Sequence, residues 1–327
     1  MHIPDGYLST PIWIALDATA IPAVGWLTRR AQQEVDESKI PLLGVMGAFV
    51  FAAQMINFPV VPGTSNHLVG GALLAFALGP WAASLVMTAI LAIQAFVFQD
   101  GGIMALGANT INMALAGVWA AWIPYRRFGA SKTGIFLGAF LSVMVSGCLA
   151  LTQLLLSGVH LPTALVATGT GVFAISALIE GAITVAVLGS IERINPGWVR
   201  RPAGGQNRIT GVLIFFAIVL VVFGVLIAST APDGLEKVAE HAGISSQAGT
   251  LYKTALADYE FQGLSSLWLR KALAGLAGLA AIYALCLVIG TVIRRRNKPL
   301  STVGQASVCA ALQLRSATAS KTEQVAR

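Results

Sequence analysis

Apolar runs of about membrane length follow one another along this chain, each closed by a short charged stretch or by Pro and Gly. The first, Thr10 to Leu27, is preceded by Asp5 and followed by the basic pair Arg29-Arg30. A secretory signal carries its positive charge before the apolar run, so this order predicts a retained helix whose N-terminus lies outside. Pro41 to Phe58 is a second span, and Pro59 to Asn66 is a Pro/Gly turn region. His67 to Gly79, closed by Pro80, is a short apolar helix. At 1.5 Å per residue it reaches only about 20 Å, against a hydrocarbon core of about 30 Å. Its start therefore belongs below the membrane surface, where irregular backbone is tolerated only against protein or a cavity. Trp81 to Phe98, Ile103 to Ile123, Gly134 to Leu156 and Thr163 to Ile191 complete a bundle of about seven helices. The last is rich in small residues that let helices pack closely in lipid.

Glu192 to Arg208 is basic and contains Pro and Gly, which marks a domain boundary. Beyond it, Ile209 to Ala228 and Ala272 to Ile293 form two further spans, joined by a polar segment from Pro232 to Leu267. The expected division is a metal-binding membrane domain over 1–199, a cytoplasmic linker over 200–208, an accessory domain over 209–296 and a tail over 297–327. The tail is rich in Ser, Ala and Thr and is expected to be disordered.

With the N-terminus outside, Arg29-Arg30, the Arg126-Arg127-Lys132 group, Arg193 to Arg208 and the cluster at Arg294 all fall on the inner side, as the positive-inside rule asks. The expectation is a multi-pass protein of the cell membrane with its C-terminus in the cytoplasm. Composition agrees: 56% of the 327 residues are apolar, 11% are charged and the mean hydropathy is +0.76, which excludes an ordinary soluble enzyme. The net charge of +7 sits in inner loops and does not point to nucleic acid. Cys148, Cys286 and Cys309 have no spacing suited to zinc or redox chemistry and read as small hydrophobes.

Met1-His2-Ile3-Pro4-Asp5-Gly6 carries the candidate chemistry. The α-amino group of Met1, the amide nitrogen of His2 and the His2 imidazole lie in one covalent run and can close two fused chelate rings on one ion. Such a planar nitrogen set suits Ni²⁺ or Cu²⁺ and leaves a fourth place open. Pro4-Asp5-Gly6 is a turn signal, with Pro presetting φ, Asp bonding its own backbone and Gly accepting positive φ. The end is thus expected to bend inward, with Met1 retained beside the large His2. His67, buried on the same outer side, is the natural fourth nitrogen.

Ligating imidazoles donate their other ring N–H to an acceptor. Outer-side candidates to hold them are Ser65, Asn66, Gln94, Asp100, Asn109 and Asn112. Interhelical hydrogen bonding is the competing role for Gln94, Asn109 and Asn112, and a solvated loop charge for Asp100. Asp17 and Glu180 are acids within spans and so mark possible functional positions, with a structural hydrogen bond favoured for Glu180. His160 and His241 lie in outer loops without a second ligand at useful spacing. The chain contains no G-x-x-x-x-G-K-[ST] phosphate loop, no H-E-x-x-H and no serine nucleophile elbow, so an ATP-driven pump would need its ATPase on another chain.

MHIPDGYLS at the start, GTSNHLVGG around His67, QAFVFQDGGIMALGANTINM from Gln94 to Met113 and EGAIT from Glu180 together resemble the CbiM/NikM family. These are substrate-binding membrane components of energy-coupling-factor transporters for cobalt and nickel. The resemblance covers about Met1 to Val199. It implies that the amine of Met1, the amide and ring of His2 and the ring of His67 bind the metal. PDGLEKVAE, from Pro232 to Glu240, is similar to the PDGLE segment of the NikN-type accessory component, so the chain resembles a natural fusion of the two. That association implies Ni²⁺, or else Co²⁺, as transported substrate, with a transmembrane coupling component and cytoplasmic ATPase subunits as partners. The long tail after Arg296 departs from the pattern. Two other classes compete with an uptake subunit. A membrane-embedded metalloenzyme would need an open coordination place and Asp100 or Glu180 as base. The other is a metal sensor or accessory scaffold without transport.

Overall fold

A computed structural model describes residues 1–35, 39–198 and 207–295. The expected tail over 297–327 and most of the linker over 200–208 lie outside the described residues. Among them, six helices are long and apolar enough to cross a membrane, and a shorter apolar helix, Ile40–Gln54, accompanies them. The described residues form a mostly helical membrane bundle, and large apolar side chains such as Ile21, Ile123 and Phe215 are exposed, where a bilayer can take them.

The helices run in order as α1 (Thr10–Glu34), α2 (Ile40–Gln54), α3 (Gly71–Leu78), α4 (Pro80–Ile93), α5 (Leu106–Asn109), α6 (Val118–Phe128), α7 (Lys132–Leu156) and α8 (Thr163–Ile194). The C-terminal part adds α9 (Asn207–Phe223), α10 (Gly234–His241) and α11 (Leu267–Arg295). Two π-helical stretches, Gln94–Phe98 after α4 and Thr110–Gly117 between α5 and α6, widen the backbone where polar side chains gather. Such stretches occur mostly as local bulges and often at functional sites.

Three details differ from the sequence expectation, and each has a local cause. The Pro/Gly turn region is a hairpin: β1 (Phe58–Val61) pairs antiparallel with β2 (Thr64–Asn66), and Gly63 supplies the positive φ at its turn. The short helix starts at Gly71, four residues later than His67. Gly70 has φ +75°, and the Glu180 carboxylate accepts the N–H groups of Val69 (2.7 Å) and Gly70 (2.8 Å). Those two donors are satisfied without a helical turn, which leaves His67 to Gly70 as irregular buried backbone. Asp5, expected to bond its own backbone, instead accepts from Ile103 (3.0 Å), Met104 (2.8 Å) and Ala105 (3.2 Å), and so caps the approach to α5 from a distance.

Glycines fasten the two parts of the chain together. A Cβ at Gly44 or Gly47 of α2 would meet Tyr283 at 2.7 Å or Cys286 at 3.1 Å on α11, and one at Gly278 of α11 would meet Phe51 at 2.3 Å. Their missing side chains let α2 and α11 approach closely. Asp17, the acid within α1, accepts the Gly107 N–H at 2.7 Å, a structural bond to the first turn of α5.

Candidate metal centre

The first three residues are pinned by backbone contacts. Asn109 accepts the Ile3 N–H through Oδ1 at 2.8 Å and donates through Nδ2 to the Ile3 carbonyl at 3.0 Å, while Gly102 N–H also reaches that carbonyl at 2.8 Å. Gly6 has φ +92°, and a Cβ there would fall 2.0 Å from the Gln247 carbonyl oxygen. The chain end therefore turns inward between the loop after α4 and the C-terminal segment. Met1, His2 and Ile3 are all buried.

Inward folding brings the two histidines together, with ring centroids 5.2 Å apart and planes at 75°. The Met1 α-amino nitrogen lies 3.2 Å from His67 Nε2. His67 Nδ1 lies 2.9 Å from the Leu68 carbonyl, which can only accept, so Nδ1 carries the hydrogen and Nε2 presents its lone pair toward Met1. Metal–nitrogen bonds of about 2 Å at right angles put neighbouring ligands about 2.8 Å apart. The observed spacing is within a few tenths of that.

His2 is held loosely. Its Nδ1 lies 3.4 Å from both the carbonyl and a carboxylate oxygen of Asp100, long for a hydrogen bond, and its buried Nε2 has no hydrogen-bond partner among the described residues. Burial holds both imidazoles below the ordinary histidine range, helped by the positive amino terminus. His67 is pushed down to about 3, and His2 is lowered although Asp100 opposes the shift. Both rings are therefore neutral near pH 7, the form that ligates metal.

A cavity of about 330 Å³ opens beside these groups, with His2, His67, Gln54, Asp100, Asp233 and Tyr259 in its wall. Two of these come from the C-terminal part. Asp233 accepts from the Met1 amino group in a close ion pair. Burial pushes the Asp233 carboxyl up, but the amine charge and hydrogen bond outweigh it and hold the group at about 2. Tyr259 donates to Asp100 Oδ2 at 2.5 Å and receives a bond from Gln94 Nε2 at 3.1 Å.

The sequence-predicted residues divide accordingly. His2, His67 and Asp100 line the cavity, and the Met1 amine faces His67. Asn109 acts through Ile3, and Asn66 acts through the His67 N–H, which it accepts at 3.0 Å while donating to Ser176 at 2.7 Å. Gln94 bonds Gln54 at 2.9 Å, and Gln54 in turn bonds the Val69 carbonyl at 2.7 Å. Ser65 donates to Ala231 and Pro232 carbonyls, so it joins the C-terminal part and not an imidazole. Asn112 forms a reciprocal amide pair with Gln153 at 2.8 and 2.7 Å, which is the interhelical role. Asp233 and Tyr259 join the cavity residues from the C-terminal part. The DGLE capping pattern marks Asp233 as a helix start, but nothing local signals its contact with a residue 232 positions away.

Comparison with known proteins identifies the families that the two parts of the chain resemble. The family CbiM, described as a cobalt uptake substrate-specific transmembrane region, matches residues 2–198, and the PDGLE domain matches residues 207–295. The chain is 34% identical over 294 residues to a putative fused nickel transport protein NikMN of Archaeoglobus fulgidus, covering 87% of this chain and 96% of that protein. A probable fused nickel transport protein LarMN of Lactiplantibacillus plantarum is 30% identical over 295 residues, covering 81% of this chain and 90% of the other. A crystal structure of a transition metal transporter shares 31% identity and a TM-score of 0.53, covering 59% of this chain and 93% of that one.

Proposed function

We propose, from the premise that the chain belongs to the CbiM family and carries a PDGLE domain behind it, that it captures Ni²⁺ in a planar site of four nitrogens. Membership makes it a membrane transport component for nickel or cobalt. The ligands are the Met1 amine, the His2 amide nitrogen, His2 Nδ1 and His67 Nε2. The carrying observation is the buried Met1 amine facing the lone-pair nitrogen of His67 at 3.2 Å, with the His2 ring centroid 5.2 Å from that of His67.

A six-membered ring with the His2 amide requires Nδ1. That nitrogen makes only the two 3.4 Å contacts to Asp100, so the ring is free to turn toward the ion without breaking an ordinary hydrogen bond. An amide that ligates must lose its proton, which leaves the occupied site with a single net positive charge facing Asp100 and Asp233. A rigid plane favours Ni²⁺ over Co²⁺, and raw affinity alone would favour Cu²⁺. Residues 1–199 form the metal-binding domain and 209–296 the accessory domain, joined through a cytoplasmic linker over 200–208. The site faces outward in the cell membrane, with the C-terminus in the cytoplasm. A transmembrane coupling component and cytoplasmic ATPase subunits supply the work that opens the site inward, since this chain carries no phosphate loop.

The test is nickel accumulation in cells that co-express the coupling subunits, with titration of the purified protein by Ni²⁺, Co²⁺ and Cu²⁺. His2→Ala and His67→Ala are expected to abolish both accumulation and tight binding. Accumulation that survives both substitutions overturns the assignment.

A further inference from the structure

The C-terminal part touches the candidate centre directly. Ala231 and Pro232 accept hydrogen bonds from Ser65 on β2, two residues before His67: Oγ to the Ala231 carbonyl at 2.6 Å and N–H to the Pro232 carbonyl at 2.8 Å. The next residue, Asp233, divides its carboxylate between two tasks. Oδ1 accepts the N–H groups of Leu235 (2.7 Å) and Glu236 (2.8 Å) as N-cap of α10. Oδ2 takes the Met1 amino group. Both partners are well covered, with side-chain exposures of 1% for Met1 and 13% for Asp233. Three successive residues thus grip the strand that ends just before His67 and the amine that faces His67.

We propose that Asp233 is a positioning residue of the metal centre, holding the Met1 amine against His67 so that the nitrogen set is assembled only when the PDGLE turn is docked. This rests on the nickel reading above. A metal-bound amine keeps two N–H bonds, and one of them remains available to Asp233 after the lone pair has gone to the ion. The accessory domain then acts on capture directly, by completing the place where the amine sits. This goes beyond a simple cover over the site. Ser65, the hairpin and the turn at 231–233 form the hinge through which docking is felt at His67.

The dual role of Asp233 allows a clean test. Asn caps a helix about as well as Asp, and Ser nearly so. D233N and D233S therefore keep the α10 cap and lose the charged partner of the amine. E236Q is the control at the same turn: glutamine can still accept the Asp233 N–H that Glu236 Oε2 now takes at 2.8 Å, so the capping box and the ion pair both stay while a neighbouring charge is removed.

Two readouts are taken on the purified full chain. The first is labelling of the metal-free protein with an amine-acylating reagent, with modification at Met1 followed by mass spectrometry. D233N and D233S are expected to label at least about tenfold faster than the unsubstituted protein, the loss associated with one charge-assisted hydrogen bond, and E236Q within about threefold. The second is nickel titration followed by visible absorption. D233N is expected to bind at least about tenfold more weakly, with the absorption band of the nickel-saturated protein unmoved, because the ligands are unchanged. Unaltered labelling in D233N and D233S overturns the proposal, as does an equal effect of E236Q. A shifted band at saturation also overturns it, by making Asp233 a direct ligand. If the unsubstituted protein binds no nickel, the planar-site reading fails, while the labelling comparison still decides whether Asp233 holds the amine.

Discussion

Asn109 and Ile3 form a two-point clasp: one side-chain amide meets both the N–H and the carbonyl of a single backbone residue, at 2.8 and 3.0 Å. The clasp fixes the peptide immediately after His2, and with it the direction in which Met1-His2 approaches His67. Asn109→Ala removes both bonds in a buried setting and leaves the Ile3 N–H without a side-chain acceptor, a loss of about 1–3 kcal/mol. The expected outcome is at least tenfold weaker nickel binding with a modest fall in melting temperature, read by titration and by thermal unfolding in detergent. Binding that is unchanged would mean that the terminus is held well enough by Asp5 and Gly102.

The amine itself is checked by moving it. One extra residue before Met1 turns the amino nitrogen into an amide and places new atoms where His67 and Asp233 now press on it. High-affinity nickel binding is expected to vanish while the melting temperature shifts little, since the helices are untouched. Retained affinity in a protein shown by mass spectrometry to keep the extension would remove the amine from the ligand set.

Glu180 illustrates support from a distance. Both carboxylate oxygens are used, on Val69 and Gly70, and the side chain is 1% exposed. Glu180→Ala leaves two buried N–H groups without acceptors, at about 1–3 kcal/mol each, and frees the irregular segment that carries His67. Glu180→Gln keeps one acceptor and turns an N–H₂ toward a donor. Nickel affinity and melting temperature should both fall in the order wild type, Gln, Ala. A Gln variant equal to wild type in both would show that one acceptor suffices.

Much of this organisation is legible in sequence because lipid enforces it. The apolar runs and the small-residue helix follow from hydropathy and composition alone, and Met1-His2 announces itself through covalent geometry. Other features depend on partners far along the chain. The irregular start of the His67 segment follows from Glu180, more than a hundred residues on, and the caps over the loop after α4 come from Asp5, near the chain start. Asn112 and Asn109 are both amides on one stretch, yet one pairs with Gln153 and the other clasps Ile3. Nothing in their local sequence separates the two, because the difference is made by which helix each residue faces. Asp233 shows the same limit: its capping role is written in DGLE, whereas its hold on Met1 requires the two parts of the chain to be docked.

The His67 shift gives a stability prediction with a definite sign. Burial holds the folded group at about 3 against an ordinary 6.5, so between those values the unfolded chain binds a proton that the folded one does not. Stability therefore rises with pH across that window and is lost as pH falls from 6.5 toward 3. At 1.36 kcal/mol per pH unit, lowering the pH from 6.5 to 5 removes up to about 2 kcal/mol through this group. His67→Gln, which cannot titrate there, should show a flatter dependence of melting temperature on pH between 7 and 5 than the metal-free wild type. Nickel binding should strengthen with pH in the same range for a different reason, because the amine and the amide must give up protons to the solvent before they ligate. The two effects separate on adding excess nickel, which stabilises the folded state by RT ln(1 + [L]/Kd) and so carries the pH dependence of Kd into the melting temperature. In its presence the wild-type slope should become steeper, and that of His67→Gln should not change. An identical response of both proteins to the metal would remove His67 from the site.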